Sequence, residues 1–265
     1  MTTLPDGNPR PIVVKLGGST LGAHDTSLRD IAAAWRDGRR IVVVHGGGAA
    51  VSDWLARAGI EARFVRGLRA TDAATLDVVV AVLAGFVNKR LVAELSALGA
   101  PAIGISGADA MVLQARRYDD ELGFVGQIHT VHPQPIEELL ALGHLPVIAP
   151  IAIEADGAAK SQLLNTNADT AAGELAAALR AEQLVFLTDV AGVLDAERRL
   201  LPRLSAGEAR ALIASGVAAG GMIPKLEAAV RAASSGCATR IIDGTRADAL
   251  SSVLSGAAAG TTVRG

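Results

Sequence analysis

The sequence predicts an α/β fold, a three-layer α/β/α sandwich whose central sheet is mainly parallel. Three observations lead there. Short β-branched runs alternate with helix-period segments along the whole chain. The runs Ile12-Val13-Val14 and Ile41-Val42-Val43-Val44 are apolar without alternation, as strands buried on both faces require. Both runs stop near glycines, roughly thirty residues apart with a helical segment between them, which describes a βαβ unit whose loops share one sheet edge. Ligands of open α/β sheets bind at that carboxyl edge.

Each element follows from its own pattern. The first strand ends in Lys15-Leu16-Gly17-Gly18-Ser19. Alone, this reads as a strand and tight turn with a snorkelling lysine. An unpaired buried ammonium is costly, however, and an anion at that point would remove the cost. Residues 25–37 carry Leu28, Ile31, Ala32 and Trp35 at helical spacing, with Trp35 expected in the core. The second strand ends in His45-Gly46-Gly47-Gly48, and Val51, Trp54 and Leu55 continue as a helix to Gly59, a C-cap glycine. Glycine N–H groups ahead of a helix suit phosphate or carboxylate. His45 reads as a hydrogen-bonded strand-end histidine, because no second histidine stands at metal-ligand spacing.

Thr71 or Asp72 caps a helix running to about residue 98, with Leu76, Val79, Leu83, Val87, Leu91 and Leu95 along one side. At about 1.5 Å per residue it spans roughly 40 Å. So apolar a helix fits a deep core element or, as we expect, a subunit interface. Arg69, just ahead of the cap, is a surface arginine or presents its guanidinium to a carboxylate. Residues 101–106 form a strand, and residues 111–127 a hairpin with a polar tip at 118–121, read as a lid over one edge. His129, His132 and His144 lack metal-type spacing and are taken as structural or solvent-facing.

Residues 135–142 read as a helix and residues 145–151 as one buried strand. After a turn at 154–160, Leu163-Leu164-Asn165-Thr166-Asn167-Ala168-Asp169-Thr170 opens a helix to residue 179. Asn165 and Asn167 offer amides to a polar ligand, and Asp169 falls in the first turn, where the helix dipole favours a carboxylate; N-capping explains one of the three. The strand at 184–187 ends at Thr188-Asp189-Val190-Ala191-Gly192-Val193, a further loop on the same edge. Residues 204–215 form a helix. Gly220-Gly221-Met222-Ile223-Pro224-Lys225 then leads into another that ends near residue 234, its proline suited to a first turn. A last strand at 239–242, a helix at 247–254 and a tail through Val263 complete the chain.

Bulk properties narrow the function. The 265 residues suffice for one large domain or two small lobes, and 50% apolar with 20% charged residues is the balance of a folded chain. Aromatics are only 3%, so the core is aliphatic. With 25 Lys and Arg against 27 Asp and Glu the net charge is −2, and no dense basic run appears, which argues against a nucleic-acid partner. Cys237 is the only cysteine, so it forms no intrachain disulfide or cysteine-based zinc site, and its apolar surroundings place it in the core. The apolar runs are too short to span a bilayer and the start lacks the apolar stretch of a signal peptide, so a cytoplasmic location with no membrane partner is expected.

Collected at the strand ends are Lys15, the loops 17–18 and 46–48, Arg69, Asn165, Asp169, Thr188-Asp189 and Lys225. There is neither a GxxxxGK[ST] loop nor a GxGxxG followed by an acidic residue, and no evident nucleophile. Two lysines, N–H-rich loops and one carboxylate suit phosphoryl transfer, which needs positioning and neutralised charge rather than covalent help.

These motifs resemble the amino acid kinase family. The resemblance runs from Lys15-Leu16-Gly17-Gly18 through His45-Gly46-Gly47-Gly48, Gly67-Leu68-Arg69-x-Thr71-Asp72 and Val87-Asn88-Lys89. It continues through Asn165-x-Asn167-Ala168-Asp169, Leu187-Thr188-Asp189-Val190 and Gly221-Met222-Ile223-Pro224-Lys225. It is nearest to the branch that phosphorylates the γ-carboxylate of N-acetyl-L-glutamate in arginine synthesis, with ATP as donor and Mg²⁺ held mostly by phosphates and water. The resemblance implies that Lys15 and Lys225 neutralise the phosphoryl group while Asp169 orients both, and that the N–H groups of Gly18 and Gly47 bind its oxygens. It implies that Gly47, Gly48, Arg69, Asn165 and Asn167 hold the acetylated amino acid, with Arg69 on its α-carboxylate. Lys15, Thr188, Asp189, Gly192, Val193, Met222 and Lys225 would line the nucleotide.

By the same resemblance, residues 1–180 form an N-terminal lobe for the amino acid and for dimerisation, and residues 181–265 a nucleotide lobe. Arginine-inhibited relatives carry an extra N-terminal helix that joins dimers into a hexamer. Only ten residues precede Pro11 here, so a homodimer insensitive to arginine and without a PII-type regulator is expected. The rivals are a kinase of the same fold acting on carrier-linked aminoadipate or glutamate, and a non-catalytic sensor of acetylglutamate or nucleotide. The three charges Lys15, Asp169 and Lys225 speak against the sensor, since a binder has no need of them all.

Overall fold

The computed structural model describes residue 7 and residues 9–17, 26–155 and 161–265. Gly18 and the later part of the turn at 154–160 lie outside these residues. The first half of the chain runs β1 (Ile12–Leu16), α1 (Ser27–Arg36), β2 (Ile41–His45), α2 (Gly48–Arg57), β3 (Phe64–Val65), β4 (Leu68–Arg69), α3 (Ala73–Val80), a π-helical segment (Ala81–Val87), α4 (Asn88–Ala97), β5 (Ala102–Ser106), β6 (Leu113–Arg117) and β7 (Gly126–Val131). It continues through α5 (Gln134–Ala141), β8 (Leu145–Ala149), β9 (Ile151–Glu154), β10 (Leu163–Asn165), α6 (Ala168–Ala178) and β11 (Gln183–Thr188). The remainder is β12 (Arg203–Ser205), α7 (Ala206–Ala214), α8 (Met222–Ala233), β13 (Ala238–Asp243), α9 (Ala249–Leu254) and β14 (Thr261–Arg264).

Eight strands form the central sheet in the order β12-β14-β13-β11-β1-β2-β8-β5, and a four-stranded sheet, β10-β9-β6-β7, lies beside it. The chain builds the central sheet first to one side of β1 and then, from β11, to the other. The switch point, where α/β sheets bind ligands, is therefore at the carboxyl end of β1. The sheet is continuous across residue 180, because β1 pairs with β11 from Ile12↔Gln183 to Leu16↔Leu187.

Alternation along the strands assigns each side chain to a layer. Ile12, Val14, Leu16, Ile41 and Val43 pack with α1, α2, α9 and the long helix, whereas Val13, Val42 and Val44 pack with α5, α6, α8 and the second sheet. By the same period Lys15 faces α6 and His45 faces the long helix. The α6–α8 contact is close because Gly173 has no side chain: a Cβ there would lie 2.6 Å from the Cβ of Ala228. One turn earlier on the two helices stand Asp169 and Lys225, which that packing brings face to face.

Several elements depart from the expected ones. The single strand expected at 145–151 is two, because Pro150 has no N–H for the parallel ladder and the chain crosses there from the central to the second sheet. Residues 163–165 are not helix but strand β10, antiparallel to β9, and the helix waits for Asn167, whose side chain accepts from the N–H groups of Asp169 and Thr170. The 204–215 helix begins at Ala206 behind a capping box of Ser205 and Glu208. The tail is strand β14, antiparallel to β13 and parallel to β12. Phe64–Arg69 is a tight hairpin, with positive φ at Arg66 and Gly67 as a type I′ turn requires.

In the long helix Asp72 is the cap, accepting from Thr75 N–H at 2.8 Å. Its middle, Ala81–Val87, is π-helical, which shifts the register of the turns after it and brings Asn88 inward. Asn88 is fully buried: its Nδ2 donates to Val147 O at 2.9 Å and reaches His45 Nε2 at 3.2 Å, while its Oδ1 accepts from Lys89 Nζ at 3.1 Å. Lys89 also donates to Gly104 O at 2.7 Å. A Cβ on Gly104 would stand 2.0 Å from Asn88 Oδ1, so only glycine leaves room for this network. Cys237 is buried and its thiol is pushed up to about 12 by desolvation, which fits a core residue.

His45 is fully buried, and desolvation, with smaller help from Lys15 and Lys89, lowers its pKa from 6.5 to about 4 despite a bond to Gly46. The unfolded chain therefore binds a proton below pH 6.5 that the native one refuses, so this histidine makes stability fall as pH drops through that window. Urea unfolding should show wild type losing about 2 kcal/mol between about pH 7 and 5 that a His45→Asn variant keeps. Equal pH slopes in the two proteins would contradict the buried neutral imidazole.

Candidate active site

Three charged side chains meet where β1, α6 and α8 converge. Lys15 Nζ lies 2.7 Å from Asp169 Oδ1, and Lys225 Nζ 2.9 Å from Asp169 Oδ2. Lys225 also donates to Gly221 O at 3.1 Å, across the first turn of α8. Burial by itself would raise the Asp169 carboxyl, but the two ammonium groups, Lys15 first, hold it below the usual carboxylate range. The carboxylate sits in the first turn of α6, where the helix dipole adds to the same effect. Two cations against one anion leave a net positive charge in a largely water-free place.

Beside this triad is a cavity of about 190 Å³ whose walls include Gly46, Gly47, Gly48, Arg69, Asn165 and Asn167. Its floor is the β2–α2 loop. Gly47 has φ +153°, which favours glycine, and a Cβ there would lie 2.7 Å from Leu83 Cδ2 on the π-helical segment, so that side chain would have to shift. The first N–H groups of α2 have no intrahelical acceptor and point off its end, as an anion site requires.

Arg69 reaches in from β4. Its Nη2 donates to Gly48 O at 3.0 Å and to Ser52 Oγ at 2.8 Å, and its guanidinium stacks over Phe64 at 4.7 Å. Its Nη1 is buried with no hydrogen-bond partner. An unpaired buried guanidinium N–H is costly, and desolvation accordingly lowers the pKa of Arg69. Asn165 is anchored by its Nδ2 to Thr71 Oγ1 at 3.2 Å, and Thr71 donates to Arg69 O at 2.7 Å. Asn167 commits its Oδ1 to the α6 cap.

Of the groups expected along a nucleotide, Lys15 and Lys225 belong to the triad; the others join neither cluster directly. Thr188 ends β11 with its hydroxyl bonded to Val190 and to Ile242 O, and Asp189 is exposed beyond it. Gly192, at φ +147°, leaves no space for a Cβ beside Thr261 and Leu200. Val193 is a core residue whose N–H donates to Thr261 Oγ1 at 2.8 Å. Met222 opens α8, one turn before Lys225. No cluster of three or more metal-ligating side chains occurs among the described residues, and the donors present are cations and N–H groups, which fit phosphate oxygens rather than a bare metal ion. No helix among them is long and apolar enough to cross a membrane.

Ser52 and Phe64 belong to the site although no sequence motif singles out their side chains for it, and Thr71, a member of the Gly67–Asp72 motif, serves it through Asn165 and Arg69 as well as standing beside the helix cap. Ser52 carries one available signal, since it stands one helical turn after Gly48 and one hydrogen-bond donor can reach both. A larger cavity of about 590 Å³ lies on the other side of Phe64, but it is rimmed by Glu61, Asp72, Asp120 and Glu121 as well as Arg63, a charge ill suited to an anionic substrate.

Comparison with known proteins agrees with this geometry. The profile of the amino acid kinase family matches residues 10–243. The chain is 45% identical to the acetylglutamate kinase of Dehalococcoides mccartyi over 96% of its own length and 94% of the relative's. It is 46% identical to that of a Synechococcus species over 97% and 89%. Among solved structures, smu.665 from Streptococcus mutans superposes with a TM-score of 0.80 at 27% identity, covering 96% of this chain and 98% of that one. Carbamate kinase from Giardia lamblia shares the fold at a TM-score of 0.68 and 18% identity, covering 97% and 98%. With a family profile matching residues 10–243 and relatives this similar over about nine-tenths of their length, the chain belongs to the amino acid kinase family.

Proposed function

We propose that this chain phosphorylates the γ-carboxylate of N-acetyl-L-glutamate, using ATP and giving an acyl phosphate. One observation carries the reading: the Lys15–Asp169–Lys225 triad adjoins a cavity lined by Arg69, whose guanidinium keeps a buried, unpartnered nitrogen. A substrate with one carboxylate for Arg69 and a second near the triad suits that arrangement, and the acetylglutamate kinases among the relatives support this choice.

The barrier is electrostatic, because an ionised carboxylate must approach a phosphoryl group that is itself anionic. ATP, with Mg²⁺ held by its phosphates, supplies that group. Lys15 and Lys225 offset the charge gathering on its oxygens, and Asp169 fixes both ammonium groups so that none of the reorganisation falls in the transition state. The Gly47 N–H adds a further donor, and we assign the same role to Gly18. Gly48, Asn165 and Asn167 shape the amino-acid cavity. No base is needed, since the nucleophile is already a carboxylate. As one γ-carboxylate oxygen bonds to phosphorus, the bond to the bridging oxygen breaks and ADP departs. Residues 1–180 thus serve the amino acid, and residues 181–265, with Thr188, Asp189, Gly192, Val193 and Met222, serve the nucleotide. We place the reaction in the cytoplasm. A homodimer is supported by the long helix, whose Phe86 remains 42% exposed and packs on Trp54, itself 40% exposed, at 5.6 Å.

Three outcomes are expected. Lys15→Ala and Lys225→Ala each lower kcat by about 100-fold or more with a smaller change in KM for acetylglutamate; near-normal kcat in both variants, measured by ADP release, would sink the assignment. Arg69→Met raises KM for acetylglutamate by roughly 10- to 100-fold, and Arg69→Lys fails to restore it because an ammonium cannot span the same partners. An unchanged KM in Arg69→Met would remove Arg69 from the substrate site. Light scattering should give the mass of a dimer, and a monomer or hexamer would overturn that part of the proposal.

A further inference from the structure

The Asn88–His45 network has no place in the chemistry above, although it ends at the loop that carries Gly47. Its hydrogen bonds can be followed in one direction only. Lys89 Nζ has no acceptor capacity, so the Asn88 atom 3.1 Å from it is the amide oxygen. Val147 O has no proton, so the Asn88 atom 2.9 Å from it is the amide nitrogen. The orientation of the Asn88 amide is thereby fixed from both ends. Its second N–H lies between His45 Nε2 at 3.2 Å and the more distant Ile105 O at 3.4 Å, and a proton on Nε2 would face this NH2 group, so Nε2 is the bare, accepting nitrogen. The imidazole proton is left on Nδ1, which lies 2.7 Å from Gly46 O and donates to it.

The Gly46–Gly47 peptide is trans, like the other peptides among the described residues. In a trans peptide the C=O of Gly46 and the N–H of Gly47 point in opposite directions. Holding the carbonyl on the His45 side of the sheet therefore turns the Gly47 N–H toward the other side, where Lys15 stands. Neither residue of that peptide has a Cβ to oppose rotation about it. The other backbone bonds of the loop, Gly46 N–H to Leu16 O at 3.0 Å and Val51 N–H to Gly47 O at 3.0 Å, do not involve the two atoms of this peptide.

We propose that Lys89, Asn88 and His45 form a positioning relay that fixes the imidazole tautomer and, through the Gly46 carbonyl, aims the Gly47 N–H at the transferred phosphoryl group. His45 does not touch substrate; it acts through the backbone. The relay rests on the reading that Gly47 N–H serves the phosphoryl group. It also gives a role to a buried histidine that lies outside the charged triad, and to the turn of π-helix that brings Asn88 to it.

Two amides one methylene apart test the relay. In His45→Asn the side-chain nitrogen can take the place of Nδ1 and donate to Gly46 O; in His45→Gln it reaches only toward the Nε2 position. His45→Gln should lower kcat by about 100-fold, the effect of losing one aimed donor. His45→Asn should recover kcat to within about fivefold of wild type. KM for acetylglutamate should shift less than about threefold in both, since uniform binding is untouched. Nitrogen NMR of the labelled wild-type imidazole, which needs no variant to fold, should show Nδ1 protonated and Nε2 bare. An Nε2–H tautomer overturns the relay, and so does equal kcat in the two amide variants, which would assign His45 a packing role alone. A wild-type protein that turns over no acetylglutamate overturns the functional reading and the relay with it, whereas an active wild type with the wrong variant pattern overturns the relay only.

Discussion

The arrangement depends on a single buried carboxylate held between two ammonium groups. Asp169 is 5% exposed and Lys15 7%, so neither charge is tolerated without the other. Removing one partner from such a pair typically costs about 3 to 5 kcal/mol. Yet one anion cannot neutralise two cations, and the leftover positive charge sits where the first turn of α6, the first turn of α8 and the end of β1 converge. A site built only for stability would have balanced its charges or replaced them with apolar groups. The imbalance makes sense where an anion comes and goes.

The scaffold serves that imbalance through its packing. Lys225 can meet Asp169 only if α6 and α8 run close together, and Gly173 against Ala228 permits this one turn below the ion pairs. Lys15 can meet Asp169 only if it faces the α6 layer, which follows from its odd place in a strand whose even neighbours face the other layer. Three remote stretches are thus joined by strand period, helix period and the absence of one methyl group.

Much of this is legible in the sequence, and the illegible parts have physical causes. Buried parallel strands announce themselves as unbroken β-branched runs, so β1, β2, β11 and β13 can be placed within a residue or two. Lys15, Asp169 and Lys225 are visible as members of motifs, but their meeting is not, because ion pairing across more than fifty residues leaves no local pattern; it comes from resemblance. The division of β8 from β9 at Pro150 is hidden because the apolar run continues through it unchanged. Strand β10 reads as helix because nothing local shows that Asn167, not Leu163, is the cap. The π turn at Ala81–Val87 keeps a helical period in side chains on either side of it, so only the backbone shows it. Arg69 has two open readings, and its buried, unpartnered Nη1 supports the one that faces a ligand. Gly18 stays an expectation, since it lies outside the described residues.

The two faces of the sheet carry different parts of the proposed chemistry. Leu16 pairs with His45 and Lys15 with Val44, so the lysine and the histidine stand at neighbouring strand ends but on opposite faces. Had the register slipped by one residue, the imidazole would share a layer with two ammonium groups and a carboxylate, where it would become one more titrating charge. On its own face it is shut in with the amide of Asn88, which Lys89 holds from outside, and with aliphatic side chains, and it remains neutral well below physiological pH. A neutral imidazole has one donor and one acceptor, and that asymmetry lets it transmit direction. In this proposal the triad's face supplies the field, the imidazole's face supplies the aim of the backbone, and the glycines between them are where the two are joined.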